Sequence, residues 1–100
     1  MNLQVTTWGS IQPVYVHSGK ILSEIVTFHA NGSSHKHKDD WEICTVIKGE
    51  GKIITSRDGI TQTNKVNKGS VVKIPPGTPH WMEVEPGGSM VIMIAYVKHE

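Results

Sequence analysis

The segment Lys52–Val66, KIITSRDGITQTNKV, gives the strongest local indication of how the chain folds. Two runs rich in β-branched residues flank Asp58-Gly59, and an Asp-Gly pair in that setting is typical of a two-residue β-hairpin turn. Apolar and polar side chains also alternate in three further runs, and alternation of this kind is the pattern of a half-buried strand. Those runs are Ile21–Phe28, Trp41–Lys48 and Ser89–Val97. The sequence therefore predicts an all-β protein.

Short turn signals separate the predicted strands. They are Asn31-Gly32, the KGEGK segment Lys48–Lys52, Asn67–Gly69, Pro75–Gly77 and Pro86–Gly88. Many short strands at regular spacing predict a barrel or a sandwich. We find no internal repeat, low-complexity segment or linker, and no convincing helix pattern. We therefore expect a single domain over residues 1–100.

The composition excludes several classes of partner. The 100 residues include 10 Lys and Arg against 9 Asp and Glu, so the net charge of +1 offers no basic surface for nucleic acid or for an anionic membrane. No apolar run approaches the roughly 20 residues of a membrane span. The single cysteine, Cys44, cannot form an internal disulfide. We expect a cytoplasmic protein, and the low apolar content of 37% favours a homodimer in which a second subunit covers apolar surface.

A cluster of possible metal ligands precedes one of the strands, in GSSHKHKDDWE at Gly32–Glu42. His35 and His37 are two residues apart, and such residues face the same side of an extended chain. Glu42 begins the next strand and shares its face with Cys44, while His80 follows the rigid Pro-Pro-Gly turn. The cluster is either a solvated charged loop or part of a metal site. Three imidazoles and a carboxylate would suit Fe, Mn, Co, Ni or Zn.

These residues resemble the two motifs of the cupin superfamily. The first motif, G-x5-H-x-H-x(3,4)-E-x6-G, and the second, G-x5-P-x-G-x2-H-x3-N, both match in register, except at one position each. His29 stands where the first motif begins with glycine, and Val84 stands where the second ends with asparagine. The matching positions are His35, His37, Glu42 and Gly49 in the first motif and Gly69, Pro75, Gly77 and His80 in the second.

The resemblance implies a double-stranded β-helix, a jelly-roll barrel that is usually homodimeric, as in compact bacterial single-domain cupins. It also implies one divalent transition-metal ion (Fe, Mn, Ni, Co or Zn) and a small-molecule ligand. The implied metal ligands are His35, His37, Glu42 and His80. Two functions stay open. One is a metal-dependent enzyme acting on an oxygenated small molecule, as an oxygenase, isomerase or lyase. The other is a non-catalytic, metal-dependent module that binds a sugar or a carboxylate.

The remaining notable side chains have more ordinary interpretations. The histidines outside the motifs, His17, His29 and His99, are expected at the surface. Cys44 is expected to be a small buried residue that faces the cavity. Trp41 and Trp81 should face away from the metal, because each adjoins a ligand in a strand. Met82, Met90 and Met93 are expected to line the barrel. The sequence does not orient the possible acids and bases Tyr15, Lys73 and Tyr96.

Overall fold

The computed structural model describes residues 2–37 and 39–98, and within those residues it contains eight β-strands and no helix. Every strand pairing is antiparallel. The all-β prediction is confirmed. The strands are β1 (Gln4–Val5), β2 (Gly9–His17), β3 (Lys20–Phe28), β4 (Asp40–Arg57), β5 (Ile60–Asn67), β6 (Val71–Ile74), β7 (His80–Glu83) and β8 (Met90–Lys98).

The strands form two hydrogen-bonded layers that share β4. In the larger layer the order is β1-β2-β3-β8-β4-β6, and in the smaller layer β4 lies between β5 and β7. Apolar side chains from both layers meet in one core, as in a jelly roll. The core contains Val26, Phe28, Cys44, Val46, Ile53, Val66, Ile74, Met82, Met90, Ile92 and Ile94.

Strand β4 runs without a break through the KGEGK segment, so the turn predicted there is wrong. The ladder with β8 shifts register between Val46 and Lys48, and Gly49 follows with a φ of +79°. A side chain at Gly49 would overlap the carbonyl oxygen of Ser89 on the adjoining segment. The glycine therefore marks an irregularity where β4 passes from one layer to the other, because glycine serves bulges and close backbone approaches as well as turns.

The other turn predictions have mixed outcomes. Asp58 and Gly59 both have positive φ, 52° and 76°, as a type I′ hairpin turn requires, and they join β4 to β5. Gly69 closes a second predicted turn with a φ of +94°. No turn forms at Asn31-Gly32. Instead, the Gly32 N–H donates to the Met82 carbonyl, and the Phe28 ring packs against the space that a side chain would need.

Side-chain directions follow the alternation of each strand. Met90, Ile92 and Ile94 point into the core, so Met93 lies on the opposite face of β8 and the prediction that it lines the barrel is wrong. Met82 and Met90 do lie in the core. Trp41 and Trp81 are half-buried on the faces opposite Glu42 and His80, as predicted. His17 and His29 are exposed, and His99 lies outside the described residues. Nowhere in the described chain is there a helix long and apolar enough to cross a membrane.

Candidate metal centre

The two halves of the site are joined through the backbone. The His35 N–H donates to the His80 carbonyl at 3.0 Å, and the His80 N–H donates to the His35 carbonyl at 2.8 Å. This pair of bonds forms an antiparallel bridge between the loop after β3 and the start of β7. Segments 45 residues apart in the sequence are thereby held side by side. The bridge uses no side-chain atom, so both imidazoles stay available for other interactions.

The Pro-Pro-Gly turn positions the third histidine. The N–H of Gly77 donates to the His37 carbonyl at 2.7 Å, and the Thr78 N–H donates back to the Pro75 carbonyl at 3.3 Å. Gly77 has a φ of +75°, in the left-handed region that favours glycine, and it completes the turn predicted at Pro75–Gly77. The turn that leads into His80 therefore also fixes the backbone of His37.

Backbone carbonyls orient two of the imidazole rings. Nδ1 of His35 lies 3.1 Å from the carbonyl oxygen of Ser33, and Nδ1 of His80 lies 2.9 Å from that of Thr78. A carbonyl only accepts hydrogen bonds, so each Nδ1 must be protonated and each Nε2 of a neutral ring keeps its lone pair. Histidines that bind metals are commonly held in this way, with the second ring nitrogen donating to a carbonyl.

Ligand atoms from His35, His37, Glu42 and His80 lie within 4.8 Å of one another. Oε2 of Glu42 is 2.8 Å from Nε2 of His80 and 3.4 Å from Nε2 of His37. Although these three atoms are close, they are buried and none makes a hydrogen bond of acceptable geometry. Buried polar atoms normally find a partner, so three such atoms aimed at one point fit a bound cation. The residues that the sequence singled out could hold a metal ion.

The pKa shifts of the histidines favour the neutral, metal-binding form at His35 but not at His80. His35 is exposed as a residue, but partial burial of its ring lowers the pKa of His35, which favours the neutral ring that a metal requires. For His80, burial lowers the pKa, but the adjacent Glu42 carboxylate outweighs that effect, so the pKa of His80 is raised. A divalent cation would replace that proton beside Glu42. The site opens to solvent on one side, because His35 is exposed and the His37 side chain is 35% exposed.

Sequence reasoning missed a buried acid beside the site. Glu24 on β3 is 8% exposed, and its Oε2 accepts a hydrogen bond of 3.2 Å from the Tyr96 hydroxyl. The Tyr96 ring lies 4.8 Å from the His37 ring, centroid to centroid. Burial raises the pKa of both Glu24 and Tyr96. The alternation of β3 could have revealed Glu24, because it shares a face with the core residues Val26 and Phe28.

The other candidate groups lie elsewhere or are inert. Tyr15 is 55% exposed, and Lys73 is exposed on the face of β6 opposite the core. Cys44 is fully buried, as predicted, with Sγ 3.8 Å from Oε1 of Glu42. Burial raises the pKa of the Cys44 thiol, so the sulfur stays protonated and is a poor nucleophile.

Both departures from the motif pattern are accommodated locally. His29 stands in place of a glycine, and its N–H donates to the Trp8 carbonyl at 2.7 Å while its side chain is exposed. Val84 stands in place of an asparagine, and its N–H donates to Oδ1 of Asn31 at 3.0 Å. Asn31, which lies within the first motif, thus provides a side-chain amide beside the last position of the second motif.

One surface groove lies apart from the histidines. It has a volume of about 1060 Å³ and is lined by β4, β5, the end of β7 and the segment after it, including Lys52, Lys65 and Glu83. It contains none of the four possible ligands, and its lysines and glutamates are mixed. We place the functional site at the histidine cluster instead, because only there do buried polar atoms converge without partners among the described residues.

The fold is similar to those of several solved structures. Drosophila melanogaster CENP-C bound to CAL1 superimposes with a TM-score of 0.80 at 16% identity, covering 95% of this chain and 75% of that one. An oxalate decarboxylase variant from Bacillus subtilis superimposes with a TM-score of 0.76 at 18% identity. The superposition covers 97% of this chain but only 27% of the decarboxylase chain. A predicted oxalate decarboxylase from Thermotoga maritima superimposes with a TM-score of 0.76 at 15% identity, covering 91% of this chain and 81% of that one. At these identities the likeness shows the fold alone.

The sequence itself assigns the family. A comparison with curated proteins finds no match. The family model described as a cupin domain matches residues 24–96, a span that runs from β3 to β8 and includes the whole histidine cluster. The jelly-roll architecture and the two motifs agree with that match. The chain belongs to the cupin domain family.

Proposed function

We propose that the protein is a small metal-dependent enzyme that acts on an oxygenated small molecule, as an oxygenase, isomerase or lyase. The observation that supports this most directly is the convergence of three buried, unpartnered ligand atoms on one point. The proposed ligands to a single divalent transition-metal ion are His35, His37, Glu42 and His80.

The donor set indicates what the site could do. Three neutral imidazoles and one carboxylate would leave a divalent ion with a local charge of about +1, which attracts carbonyl, hydroxyl and carboxylate oxygens. The ion would polarise such an oxygen or, if it is iron, activate dioxygen. The protein's own residues hold the donors in place through Ser33, Thr78 and Gly77. A small molecule would enter from the exposed side, beside His35 and His37.

A non-catalytic binding module for a sugar or a carboxylate is the second candidate. Cys44 and Tyr96 both stay protonated near neutral pH because their pKa values are raised. Glu24 is then the buried ionisable group that remains close to the cluster for proton transfer. A site with few proton-transfer groups would suit binding as well as it suits catalysis.

Metal analysis followed by a substrate screen separates these functions. Protein purified from metal-replete medium is expected to contain about one divalent ion per chain, removable by a chelator or by acid that protonates the imidazoles. The reloaded protein would then be incubated with hydroxy-ketones, aldoses and dicarboxylates, with products followed by NMR and oxygen uptake by electrode. Turnover supports the enzyme. Thermal stabilisation by a ligand without turnover supports the binding module, and failure to take up Fe, Mn, Co, Ni or Zn contradicts both.

We also propose that the protein is a homodimer. Two modes of dimerisation are open to a sheet of this kind, contact through outer sheet faces and exchange of the N-terminal strand. Strand β1 pairs with β2 of its own chain, which favours contact through an outer sheet face. Light scattering is expected to give about twice the chain mass of 11.0 kDa. Tyr15→Glu on β2 should produce monomers, whereas Ile60→Glu at the β4–β5 hairpin, which also adds a charge at an exposed large side chain (71% exposed), should not. A monomeric wild-type protein at micromolar concentration would contradict this proposal.

A further inference from the structure

Glu24 has a buried carboxyl group with little described hydrogen bonding to compensate for its burial. It is 8% exposed, on a strand whose other inward-facing residues are Val26 and Phe28. Among the described residues, its carboxyl group accepts one hydrogen bond, from the Tyr96 hydroxyl. Burying a carboxylate is costly, and one neutral hydroxyl offsets little of that cost. A carboxylate has about four acceptor positions, so most of those on Glu24 are available to another donor.

The register of the sheet places this carboxyl group next to the metal centre. Tyr96 lies directly opposite Glu42 in the ladder between β4 and β8, and its ring contacts His37. Glu24 lies opposite Ile94, two residues before Tyr96 on the same face of β8. The inner wall of the barrel therefore presents Glu42, Tyr96 and Glu24 in succession. A molecule held at the histidine cluster on the His37 side would lie along this wall.

We propose that Glu24 is a second ligand-binding group, which accepts a hydrogen bond from a hydroxyl of a small molecule whose other oxygens meet the metal. Tyr96 is the positioning residue, because its hydroxyl donates to Glu24 and its ring lies against His37. The substrate class is then an uncharged, polyhydroxylated carbonyl compound. A second carboxylate facing the ligand disfavours a dicarboxylate, since like charges in a partly desolvated site repel. This inference rests on the proposed metal-dependent function.

The experiment compares three probes on manganese-loaded protein at pH 8: hydroxyacetone, dihydroxyacetone and oxalate. Metal content is measured first for the wild type and for Glu24→Gln and Tyr96→Phe, and Kd values follow from the water-proton relaxation of bound manganese. Dihydroxyacetone has one hydroxyl more than hydroxyacetone, so the ratio of their Kd values isolates the contact with Glu24. A hydrogen bond to a charged acceptor predicts a wild-type preference of about tenfold for dihydroxyacetone.

Glu24→Gln is expected to reduce that preference to about twofold, to leave hydroxyacetone binding unchanged and to tighten oxalate binding severalfold. Tyr96→Phe should reduce the preference in the same direction while keeping the ring against His37. An unchanged preference in Glu24→Gln, an equal loss for both ketones, or oxalate binding that does not improve would overturn the inference. Each of these results leaves metal binding intact, whereas a wild-type protein that takes up no manganese would instead overturn the proposed metal function together with this inference.

Discussion

Replacing His80 with alanine is expected to lower the affinity for a divalent ion by more than 100-fold. Loss of groups that merely orient a ligand typically costs about 10–100-fold in metal affinity, so loss of a ligand itself should cost more. His80 is 1% exposed, and its Nε2 is the ring nitrogen closest to Oε2 of Glu42. Removing it takes away the ring nitrogen closest to the carboxylate, one of the four proposed metal ligands. Competition with a fluorescent chelator would measure the change.

The control is His29→Ala, which removes an exposed imidazole outside the cluster and should leave metal affinity within about twofold of wild type. His80→Ala should remain folded by circular dichroism, because the bridge between His35 and His80 consists of backbone hydrogen bonds. A folded His80→Ala protein that still binds an ion with wild-type affinity would show that the cluster is not the metal site. Unfolding of this variant would instead mark His80 as part of the framework.

Among the glycines with positive φ, Gly49 is expected to be the one whose substitution by alanine is most destabilising, at about 4 kcal/mol or more, or prevents folding altogether. Two costs add at this position. The φ of +79° costs an alanine about 1–2 kcal/mol, and its side chain would overlap the backbone of Ser89. Urea denaturation followed by tryptophan fluorescence would measure the free energy of unfolding.

Gly69→Ala is the matched control for that substitution. Gly69 also has a positive φ, +94°, but no atom lies within 4 Å of where its side chain would begin. Only the conformational cost of about 1–2 kcal/mol applies there. Soluble expression of Gly69→Ala alongside insoluble Gly49→Ala would give the same answer as the denaturation curves. Equal destabilisation of the two variants would mean that the backbone approach at Ser89 is looser than the structure shows.

The sequence predicted local turns well where one residue pair determines the conformation, and poorly where a distant segment does. Asp58-Gly59 forms the predicted hairpin because both residues adopt positive φ at little cost. At Gly49 the same residue type marks an irregularity inside a long strand. The difference arises from the approach of Ser89, which is 40 residues away and has no local signature. Asn31-Gly32 fails as a turn for a similar reason, since Gly32 instead bonds to Met82.

At the metal centre, too, some features could be predicted from the sequence and others depend on contacts between distant segments. The resemblance to the two cupin motifs predicted which residues could meet, and the structure brings all four together. The partnership of Glu24 with Tyr96 was not predictable in the same way. Each residue could be assigned to the inner face of its own strand, but their contact depends on β3 pairing with β8, strands that are remote in sequence. Local turn signals predict hairpin partners, but they contain no information on which strands remote in sequence become neighbours.

The sharing of β4 by both layers has a consequence for how the protein comes apart. This strand pairs with β5, β6, β7 and β8, so neither layer can lose it without the other losing a central partner. The two layers should therefore open in one cooperative event, and their slowest backbone amides should exchange with solvent at a common rate set by global unfolding. The short strand β1 pairs only with β2 among the described strands, and its amides should exchange much earlier through local fraying.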